Sequence, residues 1–290
     1  MYTQIKRQPS LLGILAGATA AINIPTTGTH YSLILEALGA GGVPLTRAQM
    51  INDIGDITIR IDGTEIYTVT AQFLLDLQLY YGTSIGAGNI NGYIPIYFAP
   101  MHLPSFSERS LYALGMGEGP GQKKVGTMSV EVVCNPGMVT LTNLNCYSEV
   151  TPERRPLGQH IRILRHAQVF GVAPATQEIT TLPKLGDSVA YKALHIETPG
   201  ASLIAQATFA LGGNAIFDQV TAALDTLLLA KEFRTVQALY YHLDFAKNRD
   251  LSSLLPMAGV QDIRLNLNWI TAAPNNYNIY SETIWGLGQA

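Results

Sequence analysis

Residues 55–82, GDITIRIDGTEIYTVTAQFLLDLQLYYG, read as a strand, a tight turn, a short strand and a helix. Ile57, Ile59 and Ile61 alternate with Thr58, Arg60 and Asp62, the period of a half-buried strand. Asp62-Gly63 is a turn signal, because glycine takes positive φ without steric cost. About 150 residues later the chain writes the same pattern again, over residues 201–233, ASLIAQATFALGGNAIFDQVTAALDTLLLAKEF. Gly63-Thr64-Glu65-Ile66-Tyr67 aligns with Gly213-Asn214-Ala215-Ile216-Phe217. Val69-Thr70-Ala71 aligns with Val220-Thr221-Ala222 after one inserted residue. A repeat of this length signals a duplicated fold. The apolar run 68–81 is ambiguous alone, since Leu75, Leu77 and Leu79 also fit a strand. Its Ala- and Leu-rich partner, opening at Asp218 as expected N-cap, decides both as helical, with Gly82 as the stop of the first.

Outward from this pair, each half reads as about eight short strands with one helix inside. In the first half, strands fall at His30–Ala37, Gly55–Ile61, Tyr93–Ala99, Val125–Cys134 and Met138–Tyr147, with a helical turn capped by Thr46. In the second, Ser188–Glu197 answers the His30 strand, with Tyr191 standing for Tyr31. Tyr240–Ala246 answers the Tyr93 strand, Asp262–Ile270 answers Thr127–Val133, and Asn276–Trp285 closes. Thr151–Gly158 holds two prolines and three charges in eight residues, a linker pattern. The expected organisation is an N-terminal arm (1–22), a first domain (23–150), the linker (151–158) and a second domain (159–290). Many short strands separated by Gly/Pro turns indicate β-sandwiches, and eight strands in two Greek keys make a jelly roll. The expected class is therefore all-β with short helices, two tandem eight-stranded jelly rolls.

Composition limits the function classes. Of 290 residues, 47% are hydrophobic but only 13% charged, about half the usual ~25%. A surface so poor in charge suits a protein that assembles. The net charge of -3 gives no footing for sequence-specific nucleic-acid binding. Cys134 and Cys146 do not make a disulfide scaffold and are read as two free buried thiols. Lys6, Arg7 and the apolar run to Ile22 have the outline of a signal peptide, but are too short to span a bilayer; a structural arm packed on the body or a neighbour is the preferred reading.

Candidate chemistry is thin. Gly82-Thr83-Ser84-Ile85-Gly86 matches Gly-x-Ser-x-Gly, but its serine follows a helix and enters a Gly/Asn loop, unlike a nucleophile elbow. Glycines 115, 117, 119 and 121 match no phosphate-binding fingerprint and read as an exposed loop. His195 with Glu197 and His242 with Asp244 share strand faces without zinc spacing. Asp53, Asp56, Asp62 and Glu65 offer oxygens for a structural calcium ion but lack the spacing of a dedicated loop. No cofactor is expected.

One constellation of whole-chain elements carries a resemblance. The strand His30–Ala37 leads to Thr46-Arg-Ala-Gln-Met, then Ile54–Tyr67, a helix ending Tyr80-Tyr81-Gly82, and Gly92-Tyr-Ile-Pro-Ile-Tyr-Phe. In the second half Leu182-Pro183-Lys184 leads into Ala190-Tyr-Lys-Ala-Leu-His-Ile. Over residues 23–290 this resembles the double jelly-roll major capsid proteins of the tectivirus–corticovirus–adenovirus lineage, in particular corticovirus-like bacteriophage coat proteins. The resemblance implies a homotrimeric, pseudo-hexameric capsomer that tiles an icosahedral shell over an internal membrane. It implies a virion protein made in the host cytoplasm, without enzymatic activity, whose partners are its own copies, neighbouring capsomers, minor capsid or penton proteins and membrane lipids. Arg154, Arg155, Arg162 and Arg165, with His160 and His166 among them, form a basic cluster read either as a contact for anionic headgroups or a partner, or as a solvated face. The alternatives are a lectin-like tandem β-sandwich that binds carbohydrate and, more distantly, a bicupin-type enzyme.

Overall fold

The computed structural model describes residues 3–83, 91–103, 105–120, 122–170, 175–183, 185–198, 200, 203–246, 254–270 and 274–286. The chain forms two compact units that divide after Leu164.

The first unit holds β1 (Gln4–Arg7), β2 (Thr19–Asn23), β3 (Thr29–Leu38), β4 (Ile54–Ile61), β5 (Thr64–Thr70), β6 (Tyr93–Tyr97), β7 (Leu114–Gly115), β8 (Met128–Cys134) and β9 (Asn143–Thr151). Its helices are α1 (Arg47–Asp53), α2 (Ala71–Tyr80) and α3 (Phe106–Leu111). One sheet runs β1-β9-β3-β6, with β7 also on β3; the other runs β2-β8-β4-β5. Alternation places Leu33, Leu35, Ile57, Ile59, Val130, Val132, Leu144 and Cys146 in the core, all fully buried. Asp62 and Gly63 both have positive φ, the hairpin geometry that matches strand twist, so β4 and β5 pair directly. Thr70 accepts the Phe73 N–H as N-cap of α2, and Gly82 follows its last turn at φ 64. Thr46 and Gln49 form a capping box on α1.

The second unit begins within β10 (His160–Val169). It continues with β11 (Thr176–Ile179), β12 (Val189–Glu197), β13 (Ile204–Leu211), β14 (Asn214–Thr221), α4 (Ala222–Lys231), β15 (Tyr240–Asp244), β16 (Leu255–Pro256), β17 (Ile263–Trp269) and β18 (Asn276–Trp285). Its sheets run β10-β18-β12-β15, with β16 on β12, and β11-β17-β13-β14. Strand for strand this is the order of the first unit. Ile163 and Leu164, at the end of the first unit, pair in parallel with Tyr67 and Thr68.

The duplication extends to register. β3 bulges at Tyr31, between His30 and Ser32, against β9, and β12 bulges at Lys192, between Tyr191 and Ala193, against β18, so Tyr191 stands for His30 rather than Tyr31. Glu36 faces Asn145 and Tyr93; Glu197 faces Tyr240 and accepts a hydrogen bond from Asn278. Tyr67 meets Phe98 edge-on at 5.7 Å, and Phe217 meets Phe245 the same way at 5.4 Å. The inserted residue of the second copy is absorbed as a bulge between Ala207 and Phe209, where Gln219 takes φ 50.

Several expectations change. The N-terminal segment does pack on the body, and it does so as sheet: β1 pairs with β9 and β2 with β8, so both are strands of the first jelly roll rather than an arm outside it. The N-cap of α4 is Thr221, which accepts the Leu224 N–H; Asp218 lies inside β14. β9 starts at Asn143, not Met138, and β8 and β9 lie in different sheets. Cys134 and Cys146 are free and buried, with the Cys146 thiol pushed up to about 12 by burial.

The glycines at 115 and 117 are buried, not exposed. A Cβ at Gly115 would sit 2.1 Å from the Pro156 carbonyl, and one at Gly119 2.5 Å from the Pro156 ring. Spacing by two is what lets residues 154–156 lie flat on this strip, where the Gly117 N–H donates to the Arg155 carbonyl at 2.7 Å. Residues 151–158, read as a linker, are thus anchored on the first unit. Gly121 and Ser84–Gly86 of the Gly-x-Ser-x-Gly match lie outside the described residues.

Candidate functional site

The densest chemistry lies on β12, β15 and β18 of the second unit, on the face away from its apolar core. Tyr191, Leu194, Ile196, Tyr241, Leu243, Tyr277 and Ile279 fill the core. Alternation, with the β12 bulge, turns Lys192, His195, His242, Asp244 and Glu282 the other way, yet all are buried. Lys192 Nζ donates to Glu282 Oε1 at 2.6 Å, and His195 Nε2 lies 3.5 Å from Glu282 Oε2. The Nδ1 atoms of His195 and His242, which face each other across the β12–β15 pair, are 2.7 Å apart, so one of them donates to the other. Arg234 Nε donates to Asp244 Oδ2 at 3.1 Å.

Burial is the largest single influence on Lys192, Glu282, His242 and Asp225. It pulls the Lys192 ammonium down, partly offset by Glu282. It pushes Glu282 up, but Lys192 and His195 more than reverse this and hold the carboxylate ionised below its usual range. It drives His242 well below 6.5, with His195 adding to the effect. Asp225 on α4 is raised to about 8 by burial despite the His242 backbone hydrogen bond, so it carries its proton at pH 7. The cluster holds three strands together by charge and offers no exposed nucleophile.

The same face of the first unit is milder. Glu36 accepts from Asn145 Nδ2 at 2.8 Å, Tyr93 OH at 2.9 Å and Tyr147 OH at 3.2 Å. The Asn145 hydrogen bond leads in holding its carboxyl below the usual range. Positions matching His195 and His242 are Ile34 and Pro95.

The sequence-derived candidates fall as follows. Arg154 is exposed, and Arg155 is half-buried and pairs with Glu153 at 3.2 Å. Arg162 is half-buried beside His160, its Nε 3.1 Å from Nε2, and burial lowers its pKa. Arg165 stands three residues further along β10, which places it on the opposite face from Arg162. Asp53 spends both oxygens on the Val139, Thr140 and Leu141 N–H groups, and Asp62 accepts those of Gly126 and Thr127 on its Oδ1. Glu65 pairs with Arg60 at 2.9 Å. Among the described residues no group of three or more His, Cys, Asp or Glu could hold a metal ion. His195 and Glu197 share a strand, but Glu197 binds Asn278 whereas His195 joins the cluster. Sequence reading missed Lys192–Glu282, whose partners lie ninety residues apart; the available signal was a lysine within the apolar run Val189–Leu194 of β12.

The sequence matches the viral coat protein P2 N-terminal domain over residues 5–151 and the viral coat protein P2 C-terminal domain over 161–287. No curated protein matches it. Among solved structures, the major capsid protein P2 from bacteriophage PM2 is similar at a TM-score of 0.79 and 17% identity, over 98% of this chain and 97% of that one. The major capsid protein of Sulfolobus turreted icosahedral virus follows at 0.67 and 13%, over 99% and 97%. VP54 of PBCV-1 is similar at 0.60 and 12%, over 98% and 93%. These likenesses concern the fold.

Proposed function

We propose how the shell is built from the premise that this chain belongs to the viral coat protein P2 family. It is a major capsid protein, a double jelly-roll component of an icosahedral virion, and it associates with copies of itself. The lectin-like alternative has no support from the family. The unit of assembly is a homotrimer of pseudo-hexagonal outline that tiles the shell over an internal membrane of a bacteriophage, with no enzymatic activity. The observation that carries this reading is the duplicated strand order and register. Two similar wedges in one chain, taken three times, give six, which close a ring and cover the open sheet edges. Each chain contributes an organisation of a first jelly roll, the 151–158 segment and a second jelly roll.

Size-exclusion chromatography with light scattering should return three times 31.3 kDa. A stable monomer that does not assemble would sink the trimer. Arg154 and Arg155, with Arg162 and Arg165 nearby in sequence, are the contact for an anionic partner, in the first place membrane headgroups. Purified trimers should co-sediment with vesicles containing anionic lipid, and R154E/R155E should release them; unchanged binding would count against this role.

A further inference from the structure

The two matching helices meet opposite fates. On α2, Phe73, Leu74, Leu75 and Tyr80 are at most 3% exposed. On α4, Leu224, Leu227 and Leu228 are 44%, 66% and 40% exposed, and Ile216 on the preceding strand β14 is 44% exposed. The first unit covers its helix with α1, which packs on α2 and places Arg47 2.7 Å from Asp76. That cover comes from residues 39–53, between β3 and β4. The matching connection in the second unit is only residues 198–203, too short for a helix of that size. The helix position of Asp76 is taken by Leu227, so the charged docking point is replaced by an apolar one.

We infer that the apolar face of α4 seats against a second copy of this chain. The inference rests on the trimer proposed above and names the surface that makes it. Four residues expose roughly 350 Å² of apolar area, most of the apolar share of the ~800 Å² that one partner buries in a standard interface. Beside Leu228 and Ile216 lies a cavity of about 260 Å³, also lined by Phe217, Val220 and Leu229, with room for an apolar side chain of the neighbour. The same cavity is lined by Asp218, Asp225, Glu232 and Asp244 with one lysine, Lys231, an acidic balance that is wrong for an anionic membrane. In a three-fold ring the contact is heterologous, so α4 meets a different surface of the next copy.

The test compares L224E/L227E with the wild-type chain by light scattering and thermal unfolding, with L227S as a gentler variant. We expect the variants to keep the wild-type melting temperature while the trimer dissociates at least tenfold more readily. L227C carrying a benzophenone should photo-crosslink to peptides of a second copy, the native cysteines being buried. A trimeric wild type whose variants remain equally trimeric overturns the inference alone. So does a crosslink to lipid or to another protein with the trimer intact. A monomeric wild type overturns the trimer itself and the inference with it.

Discussion

Equivalent positions in the two jelly rolls carry opposite solutions for the outer face of one sheet. Glu149 and Glu282 occupy matching places opposite the bulge in β3 and in β12. Glu149 is half-buried and accepts a hydroxyl from Ser32 at 3.1 Å; Glu282 is buried and takes the Lys192 ammonium. Ile34 and Pro95 in one unit become the buried His195–His242 pair in the other. Leu74, packed at the fourth position of α2, becomes the buried Asp225 of α4. Register survives duplication because each strand's hydrogen bonds and inward side chains depend on it. The outward side chains answer only to what covers them, and there the copies have separated.

The comparison breaks first at the buried pair. Lys192→Met or Glu282→Gln alone strands a buried partner, so each should cost about 3–5 kcal/mol in urea unfolding at pH 7. Lys192→Met with Glu282→Leu should recover most of the loss. Glu149→Gln should stay within about 1 kcal/mol; an equal penalty there would erase the distinction between the units.

A smaller effect separates the helices by pH. The folded chain keeps a proton on Asp225 up to about pH 8, whereas an unfolded aspartate releases it near 3.8. Stability from this group is therefore full below pH ~4 and is lost as pH rises toward 8. Asp225→Asn should stabilise by about 1–3 kcal/mol at pH 8 and by nearly nothing at pH 4. A pH-independent gain would show that Asp225 is already ionised. Leu74 gives the first unit no such slope.

The smallest effect should be the same on both sides. Thr70→Ala and Thr221→Ala each remove one N-cap bond, from the Phe73 N–H at 3.1 Å and the Leu224 N–H at 3.3 Å. Each should cost about 1 kcal/mol in denaturant unfolding. A marked inequality would mean that the exposed α4 is held mainly by something other than its cap.

Much of the fold was legible because its signals are local. The alternation of Ile57, Ile59 and Ile61, the Asp62-Gly63 turn and the echo at Gly213–Phe217 led to paired strands, a duplicated register and the helical reading of 71–80. The inserted residue before Val220 was visible as well, but only the bulge at Gln219 shows how it is absorbed. Residues 4–7 and 19–23 were not legible as sheet members, because a four- or five-residue strand has little pattern of its own and acquires its role from β9 and β8. The alternate glycines looked like an exposed loop, since their reason, the backbone of 154–156, comes from elsewhere in the chain.

Sequence by itself determined the β class, the repeat, the turns and the expectation of a coat protein that assembles, all properties of neighbouring residues or of a pattern met twice. Tertiary structure alone decided the strand order of each sheet, the pairing of Lys192 with Glu282 and of His195 with His242, and the contrast between a covered α2 and an exposed α4. The physical reason is that a side chain's charge state and energetic worth depend on burial, and burial is set by strands and helices that the chain brings together from far apart.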